Sequence, residues 1–252
     1  MSGPVLVIEL AEPVPPVAVQ RLRELLVRSS SHFEEKRVGE YDLNIHAESL
    51  GIAETAGIDG RRPVMVSLMG PGVGDEGIFE AEHADEVDQE PLIGFTPTHA
   101  VNVMAFCNRP VDHVVTALLT AAVMDVIGGV ANAELLEDQV PIVTGLPGVI
   151  ATMTDPWPVA YGSAEFLRAW ARQPGFRLSR TWPTPRTTPS TSPSGSIPVT
   201  ALASAGSRVC RELHLVGTAA AGTSERRVGT GAQPSASGGP ADALCISRYR
   251  TW

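Results

Sequence analysis

The sequence is poor in cysteine and lysine and has no long hydrophobic run. Its three cysteines, Cys107, Cys210 and Cys245, show no CxxC spacing, which excludes a disulfide framework and a thiolate zinc site. We therefore expect a reducing compartment, the cytoplasm. No apolar stretch approaches the ~20 residues that a membrane helix needs. Hence we expect neither a membrane span nor a membrane partner.

Negative charge is concentrated in the first 180 residues. This part carries 25 Asp or Glu against 12 Lys or Arg, a net charge of −13, and the rest carries 3 against 7, a net of +4. An acidic body argues against a nucleic-acid binder, because neutralising phosphates needs clustered Lys and Arg. The same charge suits a basic protein partner.

Hydrophobic periodicity predicts an α+β domain over residues 3–180. Runs such as Val5 to Leu10 and Val64 to Met69 are typical of strands. Three segments repeat apolar residues at helical spacing: 16–30, 109–127 and 163–172. We expect a single domain with a mostly antiparallel sheet and these helices packed on its apolar face.

The helix over 109–127 is the clearest element. Asn108 is placed to cap it, and the double glycine at 128–129 is placed to end it. Its apolar stripe is expected to face the sheet and comprises Val111, Val114, Val115, Leu118, Leu119, Ala122, Val123 and Val126. Its polar residues fall mostly outside that stripe and are expected to face solvent: Asp112, His113, Thr116, Thr120 and Asp125.

The composition changes at the end of this domain. Residues 181–252 are rich in Pro, Ser, Thr, Gly and Ala and lack a sustained apolar period, so we expect a disordered tail. One interpretation is a linker or dispensable extension. The other is translation of a shifted reading frame in GC-rich DNA, which an uninterrupted alternative frame in the gene would identify.

Eight acidic residues lie between positions 75 and 90 with no Lys or Arg among them. A solvated loop is the ordinary interpretation of such a run. The functional interpretation is a docking surface for a cationic partner, because a field of one sign steers association. A calcium site is a third possibility, although the EF-hand spacing is absent. The candidate partner-binding residues are Asp75, Glu76, Glu80, Glu82, Asp85, Glu86, Asp88 and Glu90.

Catalytic motifs are weak. Gly72 to Gly77 matches GxGxxG after a strand, but the acidic sequence that follows predicts a poor helix and no βαβ unit, so a plain glycine-rich turn is favoured. The six histidines show no HExxH or paired spacing, so we expect no metal and no cofactor. His113 is interpreted as an exposed first-turn histidine, with a general base as the alternative. Cys107 is expected to be buried.

Two segments carry a resemblance to known proteins: GGVANAEL, Gly128 to Leu135, and LPGVIATMTDPWPVAYGSAEFLRAWARQPGFRL, Leu146 to Leu178. Over residues 3–180 the chain resembles a family of uncharacterised actinobacterial proteins. More loosely, it is similar to the small α+β immunity proteins of bacterial polymorphic-toxin systems, in which a long helix ends in Gly-Gly and a late AEFLxAWxxxPxF helix closes the domain. These motifs are structural, so the resemblance assigns no catalytic residue.

The resemblance implies a non-enzymatic protein-binding module, an immunity protein that blocks a toxin through its acidic surface. The alternative is an enzyme of unknown reaction that uses the glycine-rich turn 70–77 or His113. A pocket that holds His99 or His113 beside carboxylates would favour the enzyme, and an exposed acidic ridge would favour the binding module.

Overall fold

The computed structural model describes residues 3–53, 61–84 and 87–179. In these ranges eight strands form one sheet: β1 Val5–Leu10, β2 Ser30–Arg37, β3 Glu40–His46, β4 Arg61–Met69, β5 His99–Ala105, β6 Val130–Glu134, β7 Val149–Met153 and β8 Val159–Gly162. The order is β2-β3-β4-β5-β1-β6-β8-β7, and all neighbouring strands are antiparallel. The predicted α+β class with an antiparallel sheet is confirmed. The tail predicted over 181–252 lies outside the described residues.

Six helices accompany this sheet in the described ranges: α1 Pro16–Ser29, α2 Glu76–His83, α3 Glu90–Ile93, α4 Pro110–Ile127, α5 Val140–Val143 and α6 Ala164–Trp170. The three predicted helices are α1, α4 and α6, and they pack on one face of the sheet around the main core. The short helices α2 and α3 pack on the opposite face, α2 through Phe79 on Met69 and Ala100. Both faces of the central strands are therefore covered in part.

The orientation predicted for α4 is only partly correct, because the buried face includes residues of the predicted stripe together with two threonines that were expected to face solvent. Besides two alanines, Ala117 and Ala121, five side chains of this helix are fully buried: Val115, Thr116, Leu119, Thr120 and Val123. Leu118, which was expected at the centre of the buried stripe, is only half-buried. Thr116 Oγ1 donates to the carbonyl of Asp112 at 2.8 Å, and Thr120 Oγ1 donates to the carbonyl of Thr116 at 2.7 Å. Because the helix itself satisfies these hydroxyls, threonine tolerates the core here and gives no signal of exposure.

The N-terminus of α4 also differs from the prediction. Arg109 is the N-cap residue, and Asp112 Oδ2 accepts a hydrogen bond from its backbone N–H at 2.6 Å. The Oδ1 atom of Asn108, the predicted cap, is buried without a hydrogen-bond partner. Among the described helices α4 alone is long and apolar enough to suit a membrane span, and 56% of that stretch is buried inside the domain, as in the core helix of a globular protein.

Two strands escaped prediction for different reasons. The edge strand β2 carries charged side chains on an exposed ribbon, so its sequence shows no buried face. The strand β8 is fully buried but has only four residues, too few to show a period. Residues 176–178 form no strand, because Phe176 packs on Trp170 with ring centroids 5.0 Å apart and the Leu178 amide donates to His113 Nδ1 of α4.

Candidate partner-binding surface

The acidic segment, residues 75–90, lies on the sheet face opposite the main core. Asp75 is the N-cap of α2, and Glu90 is the first residue of α3. Four carboxylates of the segment are exposed: Glu76, Glu80, Asp88 and Glu90. Glu82 lies on α2 with a side chain outside the described part, and Asp85 and Glu86 lie outside the described residues.

The expectation of a poor helix after the glycine-rich turn is wrong for residues 76–83. Phe79, 8% exposed, packs on Met69 and Ala100 and so attaches α2 to the sheet. Glu76 lies in the first turn, where a carboxylate complements the positive end of the helix dipole. Tertiary contact, which a sequence pattern of this length cannot show, therefore stabilises the helix.

One carboxylate of the segment, that of Asp75, is paired with a cationic side chain of strand β2. Arg37 of β2 donates through Nε to Glu40 and through Nη2 to Asp75. These hydrogen bonds, with Glu40 first and Asp75 second, raise the pKa of the Arg37 guanidinium. Asp75 also adopts φ +46°, a left-handed backbone that is uncommon outside glycine. Asp75 therefore anchors the segment, and the exposed carboxylates form its surface.

Apolar side chains are exposed beside these carboxylates. Ile78 on α2 is 43% exposed, and Val87 before α3 is 45% exposed. Exposed charge provides attraction at a distance, whereas apolar surface stabilises a contact by its removal from water. The acidic segment thus combines two features of a protein-binding surface.

The backbone of the glycine-rich turn, residues 70–77, forms hydrogen bonds within the turn itself. The amide of Gly70 donates to the carbonyl of Gly74 at 3.0 Å, and the amide of Val73 donates to the carbonyl of Gly70 at 3.2 Å. Gly70 has φ +121°, and a Cβ atom there would lie 2.8 Å from His99 Cδ2, so the position requires glycine. Amides that bond within the turn are not directed at a ligand, as a phosphate site requires.

The two candidate catalytic histidines are buried. His113, predicted to be exposed, is 2% exposed because the chain after α6 covers it, and its Nδ1 accepts a hydrogen bond from Leu178 N at 3.0 Å. His99 is 7% exposed, with Nδ1 2.8 Å from Thr98 Oγ1 and Nε2 3.0 Å from the carbonyl of Pro71. In the described ranges no three His, Cys, Asp or Glu side chains are grouped so as to hold a metal ion. Cys107 is half-buried and not fully buried as expected.

A polar cluster beneath α2 was missed in the sequence. Glu9 of β1 is fully buried, and its two carboxylate oxygens lie 3.0 Å from His83 Nε2 and 2.9 Å from Asn132 Nδ2. His83 Nδ1 lies 2.8 Å from the carbonyl of Phe79. The only signal was one acidic residue inside an apolar strand. Its partners are 74 and 123 residues away, so no local pattern could identify them.

A second buried charge pair lies on the opposite face of the sheet, where α4 begins. Arg62 of β4 is 5% exposed and Asp112 is 1% exposed, with Nη1 3.7 Å from Oδ1. At this distance the two groups form an ion pair, but they are too far apart for a hydrogen bond. Arg62 Nε and Asp112 Oδ1 are both buried without a hydrogen-bond partner. The pair is inside the core, so its role is structural.

The antiparallel sheet, its core helices and its acidic segment define a single-domain α+β protein with a run of exposed carboxylates on one face of the sheet. The chain belongs to the family of unknown function DUF6368, whose model matches residues 2–180. No curated protein and no solved structure matches the chain.

Removal of residues 181–252 is expected to leave thermal unfolding of the domain unchanged. The family match ends at residue 180, and every strand and helix named above lies before it. The sequence beyond lacks the apolar periodicity needed to offset the entropy of ordering it. Calorimetry on the full chain and on a chain truncated after Arg180 checks this. A melting temperature lowered by more than about 3 °C, roughly 1 kcal/mol for a domain of this size, would contradict it.

Proposed function

We propose that this chain is a non-enzymatic protein-binding module whose acidic segment receives a basic protein. The observation that carries the proposal is that exposed carboxylates and exposed apolar side chains occupy the same short segment. The residues concerned are Glu76, Ile78, Glu80, Val87, Asp88 and Glu90. Carboxylates steer a cationic partner into contact, and apolar side chains add to the area removed from water once contact is made.

The binding module is favoured over the enzyme by the surroundings of the two residue groups on which catalysis would depend. The amides of Gly70 and Val73 bond within their own turn. His113 accepts a backbone hydrogen bond through Nδ1 and is almost fully buried. A general base has to come within hydrogen-bond reach of a substrate, and a buried ring bonded to the backbone is poorly placed for that role.

The resemblance to immunity proteins gives the class of partner, the toxin domain of a polymorphic toxin. A toxin that acts on nucleic acid has to present clustered Lys and Arg to phosphates. An acidic surface that covers those cations would block access of the nucleic acid. In this proposal the chain inhibits by occlusion and needs no cofactor.

Neutralising three exposed carboxylates of the acidic segment is expected to slow association about tenfold or more without unfolding the domain. The variant is Glu76→Gln/Glu80→Gln/Asp88→Asn, which leaves the anchor Asp75 intact. Association of the unmodified chain should also slow as salt lowers the Debye length from about 10 Å to about 3 Å. The measurement is the association rate constant with the purified protein encoded by the neighbouring gene. That protein is chosen because the proposal places the toxin gene next to the gene for its immunity protein.

The matched control removes the same charge elsewhere on the surface. Glu12→Gln/Glu24→Gln/Glu137→Gln neutralises three other exposed glutamates, and association should stay within about twofold of the unmodified chain. An equal loss in both variants would show that net charge acts instead of this segment. An unchanged rate in the first variant would refute the segment as the docking surface, and a neighbouring protein that does not bind would refute the toxin partner.

A further inference from the structure

We propose that Glu9 and His83 share one proton, and that this proton holds the C-terminal end of α2 against the sheet. Loss of the proton as pH rises loosens that end of the helix. The proton and its effect on α2 are properties of the chain alone. Only the consequence for partner binding rests on the proposed function.

Hydrogen-bonding capacity requires the shared proton. The carbonyl oxygen of Phe79, 2.8 Å from His83 Nδ1, can only accept, so Nδ1 carries a proton. Glu9 Oε2 lies 3.0 Å from Nε2, and an ionised carboxylate also only accepts. A neutral imidazole has one N–H and can therefore satisfy only one of these two oxygens. Both contacts form together only when a further proton lies between Nε2 and Oε2.

One observation assigns this proton to the histidine. His83 is the last residue of α2, where the negative end of the helix dipole stabilises a cation. Asn132 Nδ2 donates to the other oxygen of Glu9 at 2.9 Å, so that oxygen acts as an acceptor. The pair is thus a carboxylate and an imidazolium beneath a short helix.

Among the residues that the structure describes, the other charges are remote from this pair or face solvent. The side chains that β4, β5 and β6 contribute around Glu9 and α2 do not titrate: Met69, Ala100 and Asn132. Glu134 lies on this sheet face four residues beyond Val130, the partner of Glu9, about 13 Å along the strand. Glu40 and Asp42 are three strands away, about 14 Å. On α2, Glu76 and Glu80 are exposed, whereas the Glu82 side chain and the residues Asp85 and Glu86 after the helix lie outside the described part.

The pair attaches the C-terminal end of α2 to the sheet. The helix has eight residues, fewer than the ~12 that an isolated helix needs for marginal stability in water. Phe79 in its middle packs with Met69, Ala100 and Val7, and its N-cap Asp75 pairs with Arg37 of β2, so His83 on Glu9 is the contact at its last residue. When His83 is neutral, either the buried carboxylate or the Phe79 carbonyl loses its donor, which weakens the attachment at the C-terminal end of the helix.

Ring nitrogen chemical shifts of His83 in the full chain test the proton directly. Both nitrogens should remain protonated to a higher pH than those of the exposed His46, recorded in the same spectra as the reference. One bare nitrogen on His83 throughout the range in which His46 is still charged would overturn the proposal.

Amide hydrogen exchange with Glu9→Gln tests the effect on α2. A glutamine can donate to a bare Nε2 or accept from a protonated one, so it keeps the contact in either state without a shared proton. Protection factors of the Phe79 to His83 amides, which divide out the intrinsic pH dependence, should fall about tenfold or more in the unmodified chain between about pH 6 and pH 9. They should stay level in Glu9→Gln, while α4 amides stay protected in both. A level profile in the unmodified chain, or an equal fall in both chains, would contradict the proposal.

These measurements separate the proton from the proposed function. Neither uses a partner, so their result stands whether or not the acidic segment binds a basic protein. With the neighbouring protein present, association should weaken over the same pH range in the unmodified chain and not in Glu9→Gln. A pH-dependent α2 with pH-independent association would keep the shared proton and refute the role of α2 position in binding.

Discussion

Leu119→Ala is expected to lower the free energy of unfolding by about 2 to 5 kcal/mol. Leu119 is fully buried in the main core, where α4 packs on the sheet. Truncation removes the transfer free energy of the side chain and leaves a cavity that the neighbouring residues fill only in part. Urea unfolding of the unmodified chain and of Leu119→Ala measures the difference, provided that the unfolding free energy falls with urea concentration at the same slope in both.

Leu118→Ala is the matched control, with the same side chain on the same helix. Leu118 is half-buried, so its truncation should cost about 1 kcal/mol, well below the cost at Leu119. Equal costs at the two positions would mean that the buried face of α4 is assigned wrongly. The sequence-based stripe placed both leucines on the buried face of α4, whereas in the structure only Leu119 is fully buried.

Asp112→Ala is expected to destabilise the domain by about 3 to 5 kcal/mol, because it leaves the buried guanidinium of Arg62 without its counter-charge. The oxygen that faces Arg62 Nη1 at 3.7 Å is lost. The same substitution removes the carboxylate that accepts from Arg109 N at the start of α4. Urea unfolding again provides the measurement.

The double variant Arg62→Met/Asp112→Ala separates these two effects. Removing both charges avoids an unpaired buried ion, so the double variant should recover part of the loss, about 1 to 3 kcal/mol. The part that remains reports the cap at Arg109 and the altered packing. A double variant as unstable as Asp112→Ala alone would show that the ion pair contributes nothing.

The helices and strands were predictable from the sequence where one face of the element is buried and the other is exposed to solvent. Helix α1 shows a clear period of that kind, and its predicted range, 16–30, is close to its true bounds, Pro16–Ser29. Strand β2 was missed because its exposed edge position removes the apolar alternation that identifies strands. The face of α4 was partly misjudged because threonines that bond to their own helix read as polar while lying in the core.

The sequence predicted the candidate surface only as a run of acidic residues and not the contacts that those residues make. A run of acidic residues is visible in any sequence, but Arg37 pairs with Asp75 across 38 residues and His83 pairs with Glu9 across 74. Both pairs form because the fold brings α2 against strands that are distant from it in the sequence, which no local pattern encodes. The anchored and the exposed carboxylates of the segment could therefore be told apart only in the folded chain.

Hydrogen exchange of the complex with the neighbouring protein tests the central claim most directly. If the acidic segment is the docking surface, binding should slow exchange of the amides of α2 and α3, residues 76–93, by about tenfold or more, with little change at the edge strands β2 and β7. Protection confined to an edge strand, with residues 76–93 unchanged, would contradict the account.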